Sequence, residues 1–223
     1  MESLLLGVEA LSFLQKEGFP VLKSLLAHNE DDAAKKALEI GLPVTLKPSS
    51  SDVIHKTETG GIRVSLRDEA EVRQAFREIV ATFSTNYPEK RLDGAMVQRQ
   101  GSGLEVIVGM LRDLQFGPVL MFGLGGVFVE AMKDVTFRLI PIEKADAQDM
   151  MEELKGYDVL RNPRSGSLDL PAVEKLLMDI STFTAHHPEV QEMDLNPVFI
   201  SSHGVQICDA RIKVHSNESD LKG

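Results

Sequence analysis

The chain has 223 residues, of which 43% are hydrophobic and 26% are charged, with 17 glycines and 10 prolines spread along it. This composition is typical of a folded globular chain and excludes a disordered or collagen-like protein. The 34 acidic residues outnumber the 24 basic ones and give a net charge of −10, so we expect no nucleic acid partner, because a polyphosphate would be repelled.

The first part of the chain alternates helices and strands. Helical spacing of apolar residues predicts a helix over 3–15. Asn29 stands ahead of three acidic residues and predicts the cap of a second helix, which Gly41 ends. Asp68, with Glu71 three residues later, predicts the capping box of a third helix that reaches residue 83. Strands are predicted between these helices over 21–25, 42–47 and 62–66.

The second part is richer in strands, and the polar segment 86–93 predicts a boundary between two lobes. Helices are predicted over 145–154 and 171–185. Strands are predicted over 95–100, 104–110, 119–123, 136–140, 192–200 and 205–214. The order predicts an α+β chain with an N-terminal lobe over 1–93, a C-terminal lobe over 94–214 and a flexible tail over 215–223. A ligand would lie in the cleft between the lobes.

The compartment is indicated by cysteine usage and by the start of the chain. Cys208 is the single cysteine and cannot close an intrachain disulfide, and Met1 to Leu14 lacks the basic start of a signal peptide. No apolar run reaches the roughly 20 residues of a membrane span. We therefore expect a cytoplasmic protein without a membrane partner.

The segment KPSSSDVIHKTETGG, residues 47–61, places one histidine in a loop between serines and paired glycines. A neutral imidazole is a competent nucleophile toward phosphorus, so His55 is a candidate phosphoryl carrier. Lys47, at the end of a predicted strand, is a candidate for contacting phosphates. The alternative interpretation is that His55 is a polar loop residue and Lys47 is merely solvated.

Oxygen ligands gather near the end of the chain. Asp194 and Asn196 stand two residues apart on a predicted strand, so their side chains point the same way, and a neighbouring strand would bring Asp209 beside them. Three hard oxygen donors suit Mg²⁺, with water and phosphate oxygens completing its coordination. The alternative is a pair of acids flanking a turn that Asn196 and Pro197 start.

A glycine-interrupted apolar run occupies residues 116–126. It does not match the dinucleotide-binding pattern G-x-G-x-x-G, and it leads into further strand-like sequence. Glycines in strands usually mark a close approach of another backbone or of a ligand. This pattern leaves both explanations open.

Taken together, several blocks resemble the ATP-grasp β subunit of ADP-forming acetate–CoA ligases, the nucleoside-diphosphate-forming acyl-CoA synthetases. The resemblance covers about residues 7–213. The blocks are LPVTLKPSSSDVIHKTETGGIRV from residue 42, QRQGSGLEVIVG from residue 98, FGPVLMFGLGGVFVEAMKDVTFRLIPI from residue 116, MDLNPVF from residue 193 and CDARI from residue 208.

The resemblance implies an ATP-grasp fold of two α/β lobes with the nucleotide in the cleft between them. It also implies an enzyme, an acid–thiol ligase that converts acyl-CoA, ADP and phosphate into acid, CoA and ATP, or the reverse, through phosphohistidine. The implied catalytic residue is His55. The implied nucleotide and phosphate contacts are Lys47, Gly60, Gly61, Gln98, Arg99, Gln100 and Glu105. The implied Mg²⁺ ligands are Asn196 and Asp209, with Asp194 as a third.

The chain departs from the family in two ways. The hinge segment often reads Gln-Glu-Met, whereas Arg99 and Gln100 follow Gln98 here. The chain also carries no CoA-binding unit, so the resemblance implies a hetero-oligomer with a separately encoded CoA-binding α subunit. Two alternatives remain open: a regulatory ATP-grasp module of a protein acetyltransferase, and a β chain that only orders its partner.

Overall fold

The computed structural model describes residues 2–53, 61–126, 134–163 and 166–215. These residues form two compact units, one from residues 1–21 with 102–223 and the other from residues 22–101. The chain therefore passes between the units twice, after residues 21 and 101, whereas the sequence predicts one boundary at residue 93 with residues 1–21 in the N-terminal lobe. The start of the chain joins the larger unit because residues 2–6 pair with its last strand. The second boundary moves because the strand that follows residue 93 pairs with earlier strands of the smaller unit.

The smaller unit contains a four-stranded antiparallel sheet and two helices. The elements are β2 (Ser24–Ala27), α2 (Glu30–Ile40), β3 (Val44–Ser49), β4 (Arg63–Leu66), α3 (Glu69–Asn86) and β5 (Gly94–Arg99). The strand order is β2-β5-β3-β4. The alanines of α2 and the apolar face of α3 pack on alternate residues of β3 and β5, such as Val44, Leu46 and Val97, and form the core of this unit.

The predicted helix caps are confirmed in the smaller unit. The Asn29 side chain accepts a hydrogen bond from the Asp32 N–H at 2.9 Å. The Asp68 side chain accepts one from the Glu71 N–H at 2.8 Å, and the Glu71 carboxylate accepts from the Arg67 N–H. Each cap satisfies an N–H group that the first turn of the helix leaves without a partner.

The larger unit contains a seven-stranded antiparallel sheet. Its strands are β1 (Glu2–Leu6), β6 (Leu104–Asp113), β7 (Gly117–Leu124), β8 (Val135–Leu139), β9 (Val190–Ser201), β10 (Gly204–Ile207) and β11 (Ala210–His215). The order is β1-β11-β9-β6-β7-β8, and β10 also pairs with β9. Its helices are α1 (Val8–Lys16), α4 (Lys144–Glu152), α5 (Tyr157–Arg161) and α6 (Leu170–His186).

One face of this sheet packs on helices. The alternation of buried and exposed residues along the strands shows which face it is. Met110, Leu120, Met193, Leu195 and Ile212 are almost completely buried on the side where α1, α4 and α6 pack. Their neighbours along each strand point to the opposite side, which we call the open face. The open face carries most of the candidate residues of this unit.

The start of the chain differs from its prediction. Residues 3–6, predicted as the beginning of a helix, belong to β1, which pairs antiparallel with β11, with Leu4 opposite Lys213. Helical spacing among leucines was a local signal, and pairing with a strand some 200 residues later overrides it. In addition, the single strand predicted over 205–214 is two strands, β10 and β11, with Cys208 and Asp209 between them.

Among the described residues, no helix combines the length and the apolar character that crossing a membrane requires. The predicted tail is outside the described residues from position 216 onward.

Candidate functional site

The predicted metal ligands lie together where β9 meets β11. The Asn196 N–H donates to the Asp209 carbonyl oxygen at 3.2 Å, so these two residues are cross-strand neighbours. Asp194 lies two residues before Asn196 and opposite Arg211 of β11. The side chain of Asp209 accepts a hydrogen bond from the Ala210 N–H at 2.9 Å, which fixes the carboxylate at the start of β11. The adjacency expected from sequence is therefore present.

A bulge lies in β9 at Asn196 and Pro197. Val106 pairs with Val198 and Val108 pairs with Leu195, so Asn196 and Pro197 together lie opposite the single residue Ile107. The extra residue breaks the strict alternation of β9. Asn196 is exposed, as alternation from the buried Leu195 predicts, and the extra residue turns Val198 back into the core.

The electrostatics at Asp194 favour a bound cation. Burial raises the pKa of its carboxyl above the usual value, and the negative charges of Glu192 and Asp209 add to that effect, while Arg211 opposes it. A divalent cation would neutralise the crowded carboxylates. Two carboxylates and one amide oxygen are ligands that Mg²⁺ accepts, so the donor set fits this metal. Within the described ranges no three histidine, cysteine, aspartate or glutamate side chains gather around one point, so water and phosphate would complete the coordination.

Glu105 lies near one end of the open face, and two glycines make room around it. The Gly125 N–H donates to the Glu105 carbonyl oxygen at 2.7 Å. A Cβ atom at Gly125 would lie 2.8 Å from that carbonyl group, and one at Gly126 would lie 3.3 Å from a carboxylate oxygen of Glu105. The close approach predicted for the glycine run is thus an approach to Glu105.

The smaller unit carries the other candidates on one face of its sheet. Lys47 of β3 lies opposite Met96 of β5, and Thr45, two residues earlier, lies opposite Gln98. Lys47 and Gln98 therefore share a face, opposite the helices α2 and α3. Lys47 is half-buried, in agreement with a lysine whose stem packs on the sheet.

The hinge residues are engaged within the protein. Gln98 is buried, and its amide donates to Ser24 Oγ at 2.9 Å. Arg99 is exposed, and its backbone N–H donates to the Lys23 carbonyl at 3.0 Å. Gln100 accepts two hydrogen bonds through its side-chain oxygen, from Thr45 Oγ1 at 2.8 Å and from the Ser65 N–H at 3.0 Å. Their contact with a nucleotide stays a prediction.

We expect Gln100→Leu to destabilise the smaller unit by about 1–3 kcal/mol, because the buried Thr45 hydroxyl and the Ser65 N–H lose their acceptor. Urea unfolding measures the loss, and Gln74→Leu on the exposed surface of α3 is the control. An unchanged unfolding free energy would show that the bridge is unimportant. Calorimetry with Mg-ADP on the same variant then separates this structural role from a nucleotide contact, which would also raise Kd.

His55 and Gly60, the candidate carrier and one of its flanking glycines, lie outside the described residues, while Gly61 is described and buried. The chain just before this segment is anchored by hydrogen bonds. Ser50 Oγ donates to the Arg91 carbonyl at 2.6 Å, the Ser51 N–H donates to the Asp93 carboxylate at 2.6 Å, and the Arg91 N–H donates to the Asp52 carboxylate at 2.9 Å. The sequence analysis missed these anchors.

A signal for the anchors was present in the sequence. Serine and aspartate side chains readily bond to nearby backbone groups, and residues 49–52 contain three serines and one aspartate. Their partners are 39–42 residues away in sequence, so the pairing itself was not readable. The segment thus leaves the sheet from a fixed position at Ser50.

Comparison with known proteins gives close relatives over most of the chain. The model of the ATP-grasp domain family matches residues 1–214. Subunit beta of the ADP-forming acetate–CoA ligase I of Pyrococcus furiosus is 40% identical over 206 residues, which are 92% of this chain and 89% of that subunit. The ADP-forming acetate–CoA ligase I of Archaeoglobus fulgidus is 42% identical over 208 residues, and the match spans 92% of this chain but only 30% of that protein.

Solved structures of acetyl-coenzyme A synthetase 1 from Ca. Korarchaeum cryptofilum resemble this chain in three dimensions. A complex with coenzyme A and Ca-AMPCP has a TM-score of 0.90 and 42% identity, covering 95% of this chain and 93% of that chain. A second complex holds coenzyme A and Mg-AMPPCP, with its phosphohistidine segment pointing towards the nucleotide binding site. It has a TM-score of 0.79 and 40% identity over 93% of this chain and 91% of that chain.

Proposed function

Since this chain belongs to the ATP-grasp domain family, as the match over residues 1–214 shows, we propose that it is the nucleotide-binding β subunit of an ADP-forming acyl-CoA ligase of the acetate–CoA ligase type. Membership confirms the predicted fold and the predicted resemblance. The observation that carries the proposal is the match with the Pyrococcus furiosus subunit beta, which extends over nine-tenths of both chains.

The proposed enzyme needs a second subunit. The chain spans 30% of the length of the Archaeoglobus fulgidus relative, so that protein carries more than twice as much sequence besides the matching part. In Pyrococcus furiosus the corresponding chain is named as one subunit. We therefore infer a CoA-binding α subunit that forms the acyl phosphate, and a cytosolic complex, which the single cysteine of this chain suits.

The residues of the larger unit would bind the Mg²⁺ ion that accompanies the nucleotide phosphates. Asp194, Asn196 and Asp209 would hold Mg²⁺, which when bound neutralises phosphate charge during transfer. The Ala210 N–H holds the Asp209 carboxylate, and the Asn196 N–H ties the backbones of Asn196 and Asp209 together, so the Asp209 ligand is oriented before anything binds. Glu105, fixed against Gly125, would contact the nucleotide at the same face of the sheet.

The residues of the smaller unit would bind the phosphates and transfer the phosphoryl group. Lys47 would place its ammonium on the phosphates and offset their negative charge. His55 would carry the phosphoryl group as a phosphoramidate. In the ATP-forming direction the N–P bond of phosphohistidine breaks, a terminal phosphate oxygen of ADP forms the new O–P bond, and the imidazole is released with its electron pair. The anchors at Ser50, Ser51 and Asp52 give this segment a fixed starting point.

The proposal is tested by separating nucleotide binding from turnover. The purified chain should bind Mg-ADP in a calorimetric titration but give no CoA-dependent ATP synthesis, and adding the α subunit should restore synthesis. Robust synthesis by the chain alone would contradict the half-enzyme assignment. Failure to bind Mg-ADP would contradict the nucleotide-binding role and leave a purely scaffolding chain.

A further inference from the structure

Large exposed apolar side chains concentrate at one end of the seven-stranded sheet. Eight large hydrophobic residues are exposed among the described residues, and five of them lie on β6, β8 and the turn that joins β6 to β7. The exposed fractions are 52% for Leu111, 103% for Leu114, 68% for Phe116, 55% for Phe137 and 55% for Leu139. We call these five residues the hairpin patch. The other three are dispersed over α2, β4 and α3 of the smaller unit.

The register of the strands makes the sheet part of the hairpin patch continuous. Leu111 of β6 lies opposite Val119 of β7, and Val119 lies opposite Leu139 of β8. One step along the sheet, Gly109 lies opposite Met121, and Met121 lies opposite Phe137. Directly opposite residues share a face, so these side chains form two apolar rows. The rows lie on the open face, away from the buried Met110, Leu120 and Phe122.

The turn extends the hairpin patch beyond the sheet and is itself well ordered. The Asp113 carboxylate accepts hydrogen bonds from the N–H groups of Gln115 at 2.8 Å and Phe116 at 2.9 Å. These bonds, that from Phe116 first, hold the pKa of the Asp113 carboxyl below its usual value. The turn is therefore built to present Leu114 and Phe116, which are the two most exposed members of the patch.

A contiguous exposed apolar surface such as the hairpin patch is expected to bind another protein. Single exposed apolar residues are normal, but a contiguous group usually marks an interaction site. The strand β8 is also the last in the sheet order of the described residues, and an end strand bearing exposed Phe137 and Leu139 invites unwanted pairing unless another protein covers it. The exposure of these five side chains does not contribute to the folding of this chain, which favours a role in binding a partner.

The charges around the hairpin patch indicate what kind of partner surface binds it. Asp113 and Glu192, the latter opposite Leu111, border the hairpin patch with negative charge. The chain as a whole carries −10, which opposes both an anionic membrane surface and a second copy of the chain. The complementary surface is apolar with basic side chains around it. In the Archaeoglobus fulgidus relative the matching region shares one chain with a longer stretch of other sequence, more than two thirds of the protein.

We propose that the hairpin patch is the docking surface for the CoA-binding α subunit, through an apolar face of that subunit rimmed by basic residues. This inference rests on the proposed function. The docking surface ends next to the candidate metal site, because Gly109 of the second apolar row lies directly opposite Asp194. Neighbouring strands are about 4.8 Å apart, so a docked α subunit would reach the edge of the nucleotide site.

The test is co-purification of the tagged chain with the α subunit from the same organism, followed by measurement of Kd on the separated subunits. We expect Phe137→Glu combined with Leu139→Glu to weaken the complex by at least about 30-fold, as loss of a hot spot does. The matched control is Leu38→Glu, which changes a 54% exposed leucine of the smaller unit and should leave Kd within about 3-fold. Mg-ADP binding by each variant, measured alone, reports on folding.

The outcomes separate the inference from the proposed function. If the patch variant binds the α subunit as tightly as the unmodified chain does, the docking site is elsewhere and the proposed function stands. If the unmodified chain binds Mg-ADP but forms no complex, the proposed subunit arrangement fails and the docking site fails with it. If the unmodified chain forms a dimer that Phe137→Glu and Leu139→Glu dissolve, the patch is a self-association surface and the inference is overturned.

Discussion

The assembled enzyme carrying His55→Ala should lose ATP synthesis by a factor of at least about 10⁴, the usual consequence of removing a covalent nucleophile. Alanine has no atom that can accept the phosphoryl group, so the transfer between the acyl phosphate and ADP loses its proposed carrier. A coupled assay of ATP formation from acyl-CoA, ADP and phosphate measures the loss. The candidate metal ligands and Lys47 are unchanged in this variant, so the Kd for Mg-ADP should stay within about 3-fold of its value in the unmodified enzyme.

His203→Ala is the matched control for this variant. His203 lies exposed in the turn between β9 and β10, so its removal should leave the rate unchanged. Substantial activity in His55→Ala would contradict the carrier role. Equal and undetectable phosphoryl transfer in the unmodified chain and in the variant, with Mg-ADP binding intact in both, would instead favour the regulatory module of an acetyltransferase.

Asp209→Asn should raise the Kd for Mg-ADP by on the order of 100-fold or more. Loss of a residue that merely supports a metal ligand costs about 10–100-fold, so loss of a charged ligand should reach at least the upper end. Asparagine retains an oxygen that can accept the Ala210 N–H hydrogen bond, so the start of β11 is preserved while the negative charge is removed. Calorimetry at saturating Mg²⁺ measures the change.

Asp158→Ala supplies the comparison, because Asp158 is an exposed carboxylate of the short helix α5 and is not a candidate ligand. It should leave Kd within about 2-fold. Unchanged binding in Asp209→Asn would remove Asp209 from the metal site and would leave its carboxylate with a structural role in the connection before β11.

The parts of the fold that were predictable are those set by local interactions. Asn29 and Asp68 mark helix starts because the residues that they cap lie three positions away. Leu4 and its neighbours could not be assigned to a strand, because their partner is β11 at the other end of the chain. The position of β5 in the smaller unit depends on its pairing with β2 and β3, and this pairing moves the boundary from residue 93 to residue 101.

The candidate metal site was predictable in its composition and partly in its geometry. Side chains two residues apart on a strand share a face, which placed Asp194 and Asn196 together, and Asp209 was expected on a neighbouring strand. The bulge at Asn196 and Pro197, which turns Val198 back into the core, was not predictable, because it depends on the register between β6 and β9. The buried bond from Gln98 to Ser24 likewise joins residues 74 positions apart in sequence.

The hairpin patch shows a further limit of reading a sequence by pattern. Leu111, Phe137 and Leu139 are apolar residues in strands and look like core residues in the sequence. Their exposure follows from which face of the sheet the helices cover, and the helices that decide it include α6, which begins only at Leu170. Only the assembled sheet distinguishes a buried row from an exposed one.

The most direct test of the central claim is to locate the transferred phosphoryl group. The assembled enzyme would be incubated with Mg-ATP, digested at neutral to basic pH, and its peptides sequenced by mass spectrometry. We predict an acid-labile phosphoryl group on His55, which disappears when ADP is added and ATP is released. Phosphorylation confined to any other residue of this chain, or a fully active complex in which His55 is never phosphorylated, would contradict the account.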